Sequence, residues 1–422
     1  MPYSDPSILA CAHFVREELV AFVSRPVVIV SAVRTPMGKF LGGLSSLSAA
    51  DLGVAAMREA IARARVAPRD VSEVLFGNAR QAGGGPNAAR QIAVRAGLPV
   101  ETPACTINMA CASGMKALSL AASAIAHGEA DIVAAGGVES MSRVPYLLDR
   151  ARAGYRMGSG EVIDGMYRDG FFCPLAQQVM GDTAENLAAD YGIARSEQDA
   201  FALESQRRAA VAIREGRFER EIVPVEVPGS RGDVVRIAAD EHPRADTTID
   251  GLAKLRAVFR EGGSVTPGNS SGIVDGAAAL VLAEEGAARQ AGLPARARIL
   301  GWAAAGVEPR VMGIGVVPAV KRLLAATGLA LDDFDLVEIN EAFAAQVLAV
   351  LRDLPMDRER VNVNGGAIAL GHPIGATGAR IVVTLLHEME RRGARRGLAT
   401  LCVSGGQGMA IALERIDSQA RS

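Results

Sequence analysis

Residues 104–140 read ACTINMACASGMKALSLAASAIAHGEADIVAAGGVES, and their periodicity decides the fold class. "ACTIN" is a short β-like run. Beyond it Met115, Leu118, Ala121, Ala122 and Ile125 recur at spacings of three and four, the period of one helix face, up to a stop at Gly128. "ADIVAAGGVES" at 130–140 is β-like again. Strand, helix and strand within one short segment point to an α/β protein.

The rhythm extends in both directions. Upstream lie "VVIVSAVRTP" at 27–36, a helical stretch at 50–65, "VSEVLFGNA" at 71–79 and a second helical stretch at 87–96. Such alternation predicts a mostly parallel sheet. From 297 the same order returns: "ARILGWAAAG", a helix at 317–327, "DLVEINEAFA" at 335–344, a helix at 344–352, "VNVNGGA" at 361–367, a helix at 376–392, "LATLCVSGGQG" at 398–408 and "MAIALERI" at 409–416. Element order and length indicate a duplicated α/β unit, two halves that stack face to face with helices between them. Residues 143–266 break the pattern with loops, a helical pair at 181–191 and 196–215, and a charged run, whereas 266–285 resumes strand character and is expected to complete the first sheet. The expected organisation is an extension at 1–25, a first half at 26–142 plus 267–294, an inserted loop domain at 143–266, and a second half at 295–422.

The chain has 422 residues, 49% of them hydrophobic and 22% charged, which is an ordinary globular composition. A net charge of −2 without long like-charge blocks gives no ground for binding nucleic acid or a membrane surface. Aromatic residues are only 4% while glycines number 46, so backbones are expected to approach one another closely. The five cysteines (11, 105, 111, 173 and 402) are odd in number and form no CxxC pair, which argues against a disulfide framework or a zinc knuckle. No run of about 18 apolar residues exists, so no transmembrane helix is expected. Residues 1–25 carry Glu17 and Glu18 and lack the marks of a cleaved leader; an amphipathic helix at 8–23 is one reading of them.

Cys111 sits at the start of a helix, where unpaired N–H groups and the helix dipole stabilise a thiolate, so it is a candidate nucleophile. Most free cysteines are merely small buried hydrophobes. Three further segments gather polar residues at sheet ends, where open α/β folds place ligands: "NEAFA" at 340–344, "NGGAIALGHPIGATGAR" at 364–380 and "CVSGGQG" at 402–408. His372 lies in a loop too rich in glycine for simple packing, and Cys402 ends an apolar run ahead of Gly405–Gly406. Asn340 and Glu341 follow "LVEI" directly, and capping of the next helix is the structural alternative for them. No glycine string has the spacing of a dinucleotide or phosphate loop, so neither ATP nor NAD is implied.

Together "NMACASG", "GNSSGIVDGAAA", "NEAFAAQ", "NGGAIALGHPIGATGAR" and "LCVSGGQG" resemble the thiolase family, in family order and over nearly the whole chain from about Arg25 to Ile416. The inserted segment is most similar to the short-chain biosynthetic branch. The resemblance implies a five-layered αβαβα stack of duplicated halves with an inserted loop domain. It implies reversible condensation of two acetyl-CoA molecules to acetoacetyl-CoA and CoA, with Cys111 carrying the acyl group as a thioester. His372 would promote thiolate formation and, with a water held by Asn340, hydrogen-bond the thioester oxygen; Cys402 would exchange the α-proton of the second acetyl-CoA. Backbone N–H groups of Cys111 and Ser404 match the other oxyanion hole. Met180, Arg244, Phe259, Ser271 and Phe343 match positions along the CoA channel, with Arg244 the natural partner of the nucleotide phosphates.

The resemblance implies no metal and no resident cofactor, coenzyme A thioesters being substrates. It also implies a homodimer that assembles into a homotetramer, with 146–160 as candidate contact, and a cytoplasmic location is expected. Two residues depart from the biosynthetic pattern: Val179 stands where many members have histidine, and Gln407 where they have methionine; Gln407 also resembles degradative members. A degradative 3-ketoacyl-CoA thiolase is therefore the near alternative. A decarboxylating ketosynthase lacks a second catalytic cysteine, which Cys402 argues against. A non-catalytic lipid binder of this fold would be expected to have lost at least one of Cys111, Asn340, His372 and Cys402.

Overall fold

The computed structural model describes residues 25–229 and 232–416, so the helix considered at 8–23 lies outside the described residues. Nine strands form the main sheet: β1 (Val27–Arg34), β2 (Glu73–Gly77), β3 (Ala104–Ile107), β4 (Ile132–Glu139), β5 (Val274–Glu284), β6 (Ala297–Gly306), β7 (Leu336–Ile339), β8 (Arg396–Val403) and β9 (Gln407–Arg415). Their order is β7-β8-β9-β6-β1-β5-β4-β2-β3, and a two-residue strand, Gly38–Lys39, pairs with the start of β5. The principal helices are α1 (Ala49–Ala64), α2 (Ala88–Ala96), α3 (Ser113–Ala126), α4 (Met180–Asp190), α5 (Arg195–Arg214), α6 (Val316–Thr327), α7 (Ala344–Asp353) and α8 (Ile374–Arg392).

The sheet is mixed rather than mostly parallel. β2 runs parallel to β3 and β4, and β7 to β8, but the remaining pairings along the sheet are antiparallel. The cause is connectivity. β8 and β9 form a hairpin through Ser404–Gly406, which can only be antiparallel, and β5 enters between β1 and β4 after the long excursion through 143–266. "VNVNGGA" forms no strand; Val361 makes one isolated bridge to Val337, and the short helix Ala367–Leu370 follows.

Only Val28–Arg298 and Ile29–Ala297 pair across the junction of the halves, so the sheet folds around a central layer made of α3 and α8. Met115, Leu118 and Ile125 of α3 pack there with Ile381, Leu385 and Met389 of α8 and with strands from both halves. Burying each such side chain contributes about 1.5–3 kcal/mol. The helices touch backbone to backbone: a Cβ on Gly378 would fall 2.5 Å from the Met115 nitrogen. Every residue from Ile374 to Met389 is buried, as expected for a helix between two sheets. α1 and α2 cover the outer face of the first half, and α6 and α7 that of the second, which completes the αβαβα layering that the resemblance implies.

Candidate active site

The turn that presents Cys111 is built locally. Asn108 Oδ1 accepts from the Ala110 N–H at 2.9 Å, while Ser113 Oγ accepts from the Met109 N–H at 2.9 Å and donates to the Ala110 carbonyl at 2.7 Å. These bonds hold Ala110 at φ +44°, a conformation a residue with a Cβ rarely adopts. Cys111 follows in a short 3₁₀ turn ahead of α3, half-buried.

β8 carries Cys402 at its end, buried, and the chain reverses through Ser404, Gly405 and Gly406. Gly405 and Gly406 have φ of +86° and +85°, which explains the two glycines. The reversal aims the Ser404 N–H at Cys111, where it and the Cys111 N–H both favour an anion on that sulfur. His372 sits between the short helix Ala367–Leu370 and α8, its N–H donating to the Gly272 carbonyl at 2.9 Å. Glu139 at the end of β4 ties the two halves together: its carboxylate accepts from Asn78 Nδ2 (2.7 Å) and from the backbone N–H groups of Ala79 (3.2 Å), Arg80 (3.0 Å) and Gly375 (2.9 Å).

Electrostatics differ from the helix-start expectation for Cys111. Burial pushes its thiol above the ordinary cysteine value, only partly offset by the Ser404 N–H, the Arg80 cation and its own N–H. Burial and the neighbouring Cys111 push Cys402 up as well. Burial, with Arg380 and Arg80 adding to it, lowers His372 to about 3, so its imidazole is neutral. At rest the site therefore holds two thiols and a neutral base.

A cavity of about 490 Å³ joins these groups; Cys111, His372, Cys402 and Ser404 line it together with Met180, Arg244, Phe259, Ser271 and Phe343. Phe259 and Phe343 meet edge to face with centroids 6.1 Å apart, forming one wall. Arg244 is exposed and lines both this cavity and an adjoining groove with Gln206, Thr247 and Thr248. Asn340 does not line the cavity. It is fully buried, and neither its Nδ2 nor its Oδ1 has a hydrogen-bond partner among the described residues. Glu341 does not cap α7, whose N-terminus has no side-chain cap; it accepts from Ser205 Oγ (2.7 Å), Asn362 Nδ2 (2.8 Å) and the Ile368 N–H (3.2 Å). Val179 lines the cavity, whereas Gln407 pairs in the β8–β9 hairpin away from it.

Sequence reasoning missed Arg80, His242 and Met312, which also line the cavity. Arg80 lies three residues past the end of β2, so its place at a strand's carboxyl end was the available signal.

Comparison with known proteins agrees with this geometry. The family profile described as "Thiolase, N-terminal domain" matches residues 27–286, and "Thiolase, C-terminal domain" matches 293–415. The chain belongs to the thiolase family. This thiolase is 54% identical over 389 residues to acetyl-CoA acetyltransferase of Chromobacterium violaceum, covering 92% of this chain and 99% of the relative. Among solved structures, the Bacillus anthracis acetyl-CoA acetyltransferase superposes with a TM-score of 0.92 at 46% identity, covering 94% of this thiolase and all (100%) of that chain. Human mitochondrial 3-ketoacyl-CoA thiolase superposes with a TM-score of 0.91 at 42% identity, covering 93% and 100% respectively. No helix among the described residues is long and apolar enough to cross a membrane.

Proposed function

We propose that this thiolase is an acetyl-CoA acetyltransferase, joining two acetyl-CoA molecules into acetoacetyl-CoA and CoA and running the reverse cleavage. The observation that carries the reading is the convergence of two thiols and one neutral imidazole on a single cavity, with the Ser404 N–H directed at the first sulfur.

Cys111 Sγ attacks the thioester carbonyl of acetyl-CoA as His372 Nε2 takes the thiol proton, and CoA leaves with that proton. Among the described residues the buried Nε2 has no hydrogen-bond partner, which leaves its lone pair free for this transfer. The N–H groups of Cys111 and Ser404 hold the oxyanion on Cys111. Cys402, once it has passed its own proton to the again neutral His372 Nε2, removes a proton from the α-carbon of the second acetyl-CoA; the imidazolium, with a water held by Asn340, stabilises the enolate oxygen and later returns its proton to the freed Cys111 sulfur. The carbanion then attacks the acetyl group on Cys111, forming the C–C bond and freeing the sulfur.

Met180, Phe259, Ser271 and Phe343 would grip the pantetheine arm, and Arg244 the phosphates. The enzyme is read as cytoplasmic and as a homotetramer; exposed Tyr146, Leu148 and Met157 support 146–160 as the contact between dimers.

The test is CoA-dependent cleavage of acetoacetyl-CoA against longer 3-ketoacyl-CoA substrates. Preference for the four-carbon substrate is expected. Equal or better use of long chains would make the enzyme a degradative thiolase, and no cleavage of any would remove the catalytic reading.

A further inference from the structure

Arg80 is 8% exposed and lines the cavity beside Cys111, within electrostatic reach of both that thiol and His372. Its Nε is buried without a partner, and among the described residues no hydrogen bond or ion pair satisfies any part of the guanidinium. The buried Glu139 carboxylate attracts the Arg80 cation but accepts no hydrogen bond from the guanidinium, its oxygens being taken by four other donors, one of them Arg80's own backbone N–H. Gly170 makes room for the cation: a Cβ there would lie 2.0 Å from Arg80 Nη2. A buried guanidinium needs acceptors for its N–H groups as well as a countercharge at a distance, so what enters the cavity must supply the acceptors.

Three anions are conceivable. The CoA phosphates are held apart from the reacting thioester by the whole pantetheine arm, and Arg244, which lines both the cavity and the adjoining groove, is the cation read above as meeting them. The Cys111 sulfur rests as a thiol because burial raises it, so it supplies no standing charge. The remaining anion is one carried by the acyl group, lying past the carbonyl that Cys111 attacks. Gly170, Phe171 and Ile374 line the cavity there, suiting a short methylene chain.

Resting on the thiolase reading above, we propose that Arg80 receives a terminal carboxylate of the acyl group, and that the enzyme also cleaves and forms 3-oxoacyl-CoA thioesters of ω-carboxylated chains. In cleavage, Cys111 Sγ attacks the 3-keto carbon while its proton passes to His372. The bond between C2 and C3 breaks, and its electron pair leaves on acetyl-CoA, which is protonated by Cys402. The carboxyacyl group stays on Cys111 until the thiol of free CoA takes it, returning protons to Cys402 and Cys111. A planar guanidinium meeting a carboxylate in a desolvated pocket discriminates strongly against a methyl terminus.

The experiment compares kcat/KM for CoA-dependent cleavage of 3-oxoacyl-CoA substrates ending in carboxylate or methyl, at three matched chain lengths, in the wild type, Arg80→Lys and Arg80→Met. At one length at least, the wild type should prefer the carboxylate, and that preference should fall about 100-fold in Arg80→Met and less in Arg80→Lys. Cleavage of acetoacetyl-CoA with no use of any carboxylated substrate would overturn the proposal and leave the thiolase reading standing; failure on every substrate would remove both. Equal losses on both series in Arg80→Met, with Cys111 alkylation moved to higher pH, would assign Arg80 to the nucleophile and overturn the proposal. If Arg80→Met does not fold, acylation of wild-type Cys111 by succinyl-, glutaryl- and adipyl-CoA against butyryl-, pentanoyl- and hexanoyl-CoA, read by intact mass, decides: faster labelling by the carboxylated member of a pair supports it, and slower labelling in all three refutes it.

Discussion

His372 Nδ1 lies 2.5 Å from Thr377 Oγ1, five residues on and inside the first turns of α8. The Thr377 hydroxyl donates its own proton to the Pro373 carbonyl at 3.0 Å, so its oxygen accepts from Nδ1–H. That fixes the tautomer with a bare Nε2, the form able to take a proton from Cys111. Thr377→Val keeps the shape and deletes the acceptor. We expect kcat/KM for acetoacetyl-CoA cleavage to fall about 10–100-fold with the thermal midpoint nearly unmoved. Unchanged kinetics would mean that Thr377 does not orient the imidazole.

The two cysteines separate by step. Cys111→Ser should lose the acyl-enzyme seen by intact mass after acetyl-CoA, with turnover reduced on the order of 10³-fold or more. Cys402→Ser should still acylate Cys111 and fail at carbon–carbon bond formation. Normal acylation of the first variant, or full turnover by the second, would reverse the assignments.

Asn340 offers a different contrast. Its buried side-chain amide has no hydrogen-bond partner among the described residues, so Asn340→Ala should lower kcat while costing little stability, less than about 1 kcal/mol in chemical denaturation. A loss of several kcal/mol with intact kcat would make it structural.

The comparison of sequence with structure divides along range. The β-α-β unit around Cys111, the extent of α3, and the return of the same elements after 297 are local patterns, and they were legible. Strand direction was not, because the entry of β5 depends on where the excursion through 143–266 brings the chain back. Cys111 was recognisable by its place before a helix, but its protonation is set by burial in the folded site, offset in part by the N–H of Ser404 almost 300 positions away. Glu341 looked like a cap because its real donors, Ser205, Asn362 and Ile368, are distant in sequence. Arg80 in "GNARQ" drew no reading from the sequence, because the chain that encloses it, Gly170 included, is distant in sequence.

Protonation of the site leads to a kinetic expectation. Since burial raises the Cys111 thiol, its alkylation by iodoacetamide should climb with pH about a midpoint above that of a free cysteine, about 8.5. His372, held at about 3, stays neutral throughout the working range, so kcat/KM should show no acid limb near the ordinary histidine value of about 6.5. A limb there that vanishes in His372→Ala would show that the imidazole titrates normally.

His387 makes a matching expectation for stability. Its Nε2–H donates to the Ala32 carbonyl at 2.9 Å, and burial first, then Arg296, lowers it to about 3. In the unfolded chain the same imidazole takes up a proton as pH falls through about 6.5. Between about 6.5 and 3 the unfolded state therefore binds the extra proton, and stability drains away as pH falls. His387→Gln retains a donor for Ala32 and cannot titrate. Every other group contributes to both proteins and cancels in their difference. The stability advantage of the wild type measured at pH 7.5 should thus shrink toward pH 5, approaching about 1.4 kcal/mol per pH unit below 6.5. A difference in unfolding free energy that stays constant across that interval would show that His387 is protonated alike in both states.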